Sequence, residues 1–164
     1  MKNIIFPLLL VVTTAIAANA AIYVKVDASG TGNGSCWNDA FTDIGSAIAA
    51  ASDDEDIYVA GGIYEITASL PQKAVKIYGG FVGNEATPNP AQRAKGGSGR
   101  PWDFATPTVV DASRWAESAD RIFAYRDGAV ALTLDGLTFQ GRKTSDHAPV
   151  IKGNAGLVMQ NCIV

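Results

Sequence analysis

Ile22 to Val26 (IYVKV) alternates apolar and polar positions, the two-residue period of a strand with one buried face. Ala28 to Ser35 (ASGTGNGS) is a flexible turn. A short helix is expected next. Asn38 is positioned to cap it, and Ala40, Ile44, Ala47, Ile48 and Ala51 recur at the spacing of one helical face. Ser52 to Asp56 (SDDED) closes it as a solvated acidic turn. Beyond that point the helical period vanishes. Short apolar runs follow at Ile57–Ala60, Val75–Tyr78, Thr108–Val110, Val130–Leu134 and Leu157–Met159, most of them ending at Gly or Asp turns. Their starts are 18, 33, 22 and 27 positions apart. The widest gap holds Asn84 to Pro107, rich in Pro, Gly and Arg, which reads as an insertion looping off the rest.

The last eight residues, Leu157 to Val164 (LVMQNCIV), repeat the pattern of Leu132 to Phe139 (LTLDGLTF) 25 positions earlier. Apolar residues coincide at Leu132/Leu157, Leu134/Met159, Leu137/Cys162 and Phe139/Val164, and a polar or small pair interrupts both copies. A repeat of this period implies stacked units that cannot bury their apolar faces alone. Strands of three to five residues at roughly this spacing suit a parallel solenoid, whereas a sandwich would show hairpin signals between long alternating runs. The pattern stops midway, so the last unit is expected to be incomplete, with one stack face uncovered.

The first twenty residues change the picture of where this fold operates. Lys2, an apolar stretch from Ile4 to Ile16 and the small-x-small Ala18-Asn19-Ala20 form an export signal, with the mature chain beginning at Ala21. The stretch is shorter than the roughly 20 residues of a spanning helix. Lys2 is the only one of the 13 basic residues removed, so the mature chain carries 12 basic against 16 acidic residues, a net charge near −4. That argues against nucleic-acid partners, which require clustered cations. The two cysteines, Cys36 and Cys162, are read as separate thiols, Cys162 matching the apolar Leu137 in the repeat. With one histidine, His147, and no CxxC, zinc ligation has no support.

These patterns resemble exported right-handed parallel β-helix proteins of the pectin-lyase-like superfamily, common in Bacteroidota-type bacteria. Tyr23-Val24, Gly30, Gly32, Gly34, Trp37, Ala40-Phe41 and Ile44 match the family's opening motif. Asp56-Ile57-Tyr58-Val59-Ala60-Gly61-Gly62-Ile63-Tyr64 matches the second, and Ile77-Tyr78-Gly79-Gly80-Phe81-Val82-Gly83-Asn84-Glu85 the third. Leu134-Asp135-Gly136-Leu137-Thr138-Phe139 is similar to one of its later rungs. The resemblance implies that strand 22–26 and the helix cap the first rung, with Trp37 and Phe41 packing there. It implies fold far more than activity, since this scaffold hosts lyases, hydrolases, tailspikes and adhesins.

Weighed for chemistry, the loop glycines lack the G-x-G-x-x-G spacing of a dinucleotide site, and no Lys follows to make a P-loop. Asp27, Ser29, Thr31 and Asn33 offer alternating oxygens for calcium, but Asn38 stands where a bidentate Glu is needed, so the loop reads as a cap turn. A polysaccharide lyase would need carboxylates on calcium beside a Lys or Arg base. Asp111, Asp127 and Asp135 with Arg121, Arg126 or Arg142 are the available groups, and rung turns account for Asp111 and Asp135 more simply. The loop Arg142-Lys143 with Asp146-His147 reads as surface. Tyr58, Tyr78 and Phe81 belong to rung motifs and are expected to be buried, which leaves Trp102 and Trp115 as the better sugar contacts.

The expectation is therefore a mainly β chain: signal peptide 1–20, a strand-plus-helix cap over 21–56, and right-handed parallel β-helix rungs over 57–164 with an insertion near 84–107. A non-catalytic secreted or surface protein presenting a rigid flank to glycans or cells is expected, with no catalytic, cofactor or metal residue assigned. The alternative is the start of a pectate-lyase-like polysaccharide lyase or glycoside hydrolase, with calcium as its only cofactor and its site beyond residue 164. The open last rung is expected to self-associate or to continue into further rungs.

Overall fold

The computed structural model describes residues 21–115, 121–124, 130–141, 151–152 and 156–164. Residues 1–20, expected to be an export signal, lie outside the described residues, as do Arg126, Asp127, Arg142, Lys143, Asp146 and His147.

The chain is mainly β, and the strand ladders among the described residues are all parallel. Ten strands are found there: β1 (Ile22–Val24), β2 (Glu55–Ala60), β3 (Gly62–Glu65), β4 (Val75–Phe81), β5 (Thr108–Asp111), β6 (Phe123–Ala124), β7 (Leu132–Asp135), β8 (Leu137–Gln140), β9 (Ile151–Lys152) and β10 (Leu157–Gln160). They form a five-stranded sheet in the order β1-β2-β4-β7-β10, a three-stranded sheet β3-β5-β8 and a pair β6-β9. Each pass of the chain lays a strand beside its predecessor in one sheet, turns, and does so again in the next.

The 25-residue repeat is the strand register itself. Leu132 pairs with Leu157 and Leu134 with Met159, and the bridge Thr138–Ile163 keeps the same offset past the turn. Within the large sheet, Ile22, Ile57, Ile77, Leu134 and Met159 form one continuous row. Ile57, Ile77 and Leu134 are fully buried in it, each stabilising the fold by about 1.5–3 kcal/mol. The neighbouring row, Tyr23-Tyr58-Tyr78-Asp135-Gln160, has the opposite facing, because side chains alternate along a strand. In the second sheet Tyr64, Val110 and Phe139 make a buried row.

Thr108, fully buried, ties the passes together: its Oγ1 donates to Ala60 O (3.1 Å) and accepts from Gly80 N (2.8 Å). That satisfies a hydroxyl whose burial without a partner would be costly.

The helix α1 (Ile44–Ala50) starts later than the sequence predicts. Asp43, not Asn38, is its cap, with Oδ1 accepting from Ser46 N at 2.7 Å. Asn38 instead lies in the preceding loop, where its carbonyl accepts from Gly30 N. Ile44, Ala47 and Ile48 bury one face in the core, and the Lys73 ammonium bonds the carbonyls of Ala49 and Ala51 at the C-terminal end. Phe41 bridges Val24 on the outer edge of β1, so that edge is covered. The acidic turn is also shorter than expected: Glu55 and Asp56 open β2, and the buried Glu55 carboxylate accepts from Ser52 N. At the other end of the stack Val158, Met159, Ile163 and Val164 are exposed.

The segment expected to loop off the stack is largely exposed and carries no strand, but it is tied back to the stack. A 3₁₀ turn at Pro90–Gln92 and a bridge between Lys95 and Phe104 fold it back, and Arg93 enters the body of the protein.

Candidate functional site

A groove of about 460 Å³ runs between the cap loop and the turn after β4. It is lined by Tyr23, Lys25 and residues 27–29, by Cys36 to Asn38, and by Gly83 to Ala86. Its shape is held by backbone and side-chain bonds. Trp37 Nε1 donates to Glu85 O (3.1 Å). The Glu85 carboxylate in turn accepts from the backbone N–H groups of Val82, Gly83 and Asn84, at 2.7, 2.9 and 3.1 Å. Successive N–H groups make a concave anion site, and here the chain fills it with its own carboxylate. Gly83 has φ +88° and faces Ala60 and Lys25 so closely that a Cβ would not fit.

Tyr23 meets Trp37 edge-on, ring centroids 4.8 Å apart, and Tyr58 at 6.0 Å. Burial raises the Tyr23 phenol above its ordinary value, with the neighbouring Cys36 adding to it. Lys25 Nζ lies 3.7 Å from Asp27 Oδ1. Asp39 accepts from Thr31 N (2.7 Å) and from the exposed Cys36 thiol (3.5 Å), and these bonds hold its carboxyl below the usual range. Asn33 Oδ1 accepts from Ser35 N. In this loop Thr31 is thus tied to Asp39 through its N–H, Asn33 accepts a turn bond, and Asp27 pairs with Lys25.

Of the three carboxylates considered for lyase chemistry, the two among the described residues, Asp111 and Asp135, are also engaged. Asp135 Oδ2 pairs with Arg93 Nη2 at 2.9 Å and Oδ1 accepts from Asn161 Nδ2 at 2.8 Å. Asp111 accepts from Ser113 N (2.8 Å), which holds its carboxyl low, and from Gln140 Nε2 (3.3 Å). Arg121 is buried, with its carbonyl accepting from Ser69 Oγ. Of the two tryptophans expected as sugar contacts, Trp102 is exposed beside Arg100, whereas Trp115 packs against the core. Phe81 is buried as expected, but Tyr58 and Tyr78 are only half-buried on the outer face. Cys36 and Cys162 are free thiols.

Neither the entry of Arg93 into the stack nor the bracing role of Glu85 follows from the sequence pattern. A signal for Glu85 does exist: a glycine followed two positions later by a carboxylate, in a turn. Among the described residues no helix is long and apolar enough to cross a membrane. Comparison with family models, curated proteins and solved structures finds no match.

Proposed function

We propose that the chain winds as a right-handed parallel β-helix of the exported, pectin-lyase-like kind, and that it is a non-catalytic secreted or cell-surface protein presenting a rigid flank to glycans. The supporting observation is the unbroken parallel row from Ile22 to Met159, one residue from each pass. A stack of this kind makes a long, stiff surface from short strands. The engagement of Asp111 and Asp135 in structural bonds supports a binding role over lyase chemistry at those residues.

The test has two arms on the exported full chain. Glycan-array binding without turnover is expected, and N-terminal sequencing is expected to begin at Ala21. Unsaturated product from uronate polysaccharides, abolished by a chelator, would overturn the reading in favour of a calcium-dependent lyase.

A further inference from the structure

We propose that the groove beside the cap binds an uncharged sugar, through the side chains of Ser29, Asn38 and Asn84, the Lys25–Asp27 pair and the Tyr23 ring. The proposal rests on the glycan-binding reading above and gives it a place. A volume of about 460 Å³ lies within the range of small-ligand sites, about 300–1,000 Å³. The bonds of Trp37 and Glu85 hold the two walls in position before any ligand arrives, which lowers the ordering cost of binding.

The lining chemistry selects the ligand class. Side-chain amides both donate and accept, as sugar hydroxyls do. Asn38 and Asn84 are exposed and make no side-chain hydrogen bond to protein among the described residues. Lys25 and Asp27 place one positive and one negative charge side by side, so the groove offers no excess cation to a polyanion. The half-buried Tyr23 ring, braced by Trp37, supplies an apolar wall for the C–H face of a sugar ring.

The experiment screens the full chain against neutral and uronate trisaccharides, then repeats the titration of each binder with Asn38→Ala/Asn84→Ala and with Trp102→Ala. A neutral trisaccharide is expected to bind, to weaken at least tenfold in the double variant and to be unaffected by Trp102→Ala. It is also expected to slow alkylation of Cys36, which lines the groove. Unfolding midpoints of the variants check that the fold is intact. Binding that ignores the double variant, or only uronates binding, overturns the groove assignment while glycan binding stands. No binding by any trisaccharide overturns both.

Discussion

Arg93 and Asp135 form a buried ion pair across 42 positions of sequence, Nη2 to Oδ2 at 2.9 Å, with 3% of the arginine side chain exposed. The guanidinium also donates to Gly79 O (2.7 Å), Asp135 O (3.2 Å) and Pro90 O (2.6 Å), and lies 4.5 Å from the Phe104 ring centre. One side chain thereby fastens the 84–107 segment to two successive passes of the chain. Removing one partner leaves the other charge buried and uncompensated, at a cost of about 3–5 kcal/mol. Asp135→Asn and Arg93→Met are each expected to lower stability by that order, measured by urea unfolding. The double variant is expected to lose less than the sum, as double-mutant coupling requires.

Gly136 sits at φ +76°, and a Cβ there would approach Arg93 Nη1 at 2.5 Å and Gly79 O at 2.9 Å. Gly136→Ala combines a left-handed penalty of about 1–2 kcal/mol with overpacking of about 1–3 kcal/mol. Gly97→Ala meets nothing within 4 Å and is expected to leave the unfolding midpoint unchanged. Equal effects at the two glycines would contradict the packing around Arg93.

Burial, reinforced by Asp56, pushes the Tyr58 phenol up to about 12, and burial raises Tyr64 further. A phenol whose folded value lies above its unfolded value of about 10 keeps its proton more tightly when folded. Its contribution is therefore whole below pH about 10 and lost as pH rises through the folded value. Tyrosinate absorbance of the native protein is expected to lag that of the denatured chain between pH 10 and 12. Tyr58→Phe should remove part of that lag.

Asp43 caps α1 through Ser46 N, and loss of such a cap costs about 1 kcal/mol. Asp43→Ala is expected to lower thermal stability by this order and Asn38→Ala not to, since Asn38 contributes its backbone carbonyl, not its side chain, to the cap loop. The reverse ranking would point to a helix that starts at Asn38.

The features legible in the sequence are those that repeat or pack locally. Leu132 and Leu157 share a pattern because they occupy equivalent places in adjacent parallel strands, so the repeat carries the register. The helix start is ambiguous in sequence because both Asn38 and Asp43 are good caps, and the turn taken by the chain selects between them. Trp115 reads as a surface loop residue because apolar side chains in loops look alike until the core they cover is known.

Strand periodicity, the glycine turns and the short buried helix face can be read from the chain directly, since each depends on residues within a few positions. Three-dimensional packing was needed to bring Arg93 into the stack, to set the Trp37 indole against the Glu85 carbonyl, and to open a groove between cap and turn. Such contacts join residues 42 or 48 positions apart, and no local pattern encodes a partner at that distance.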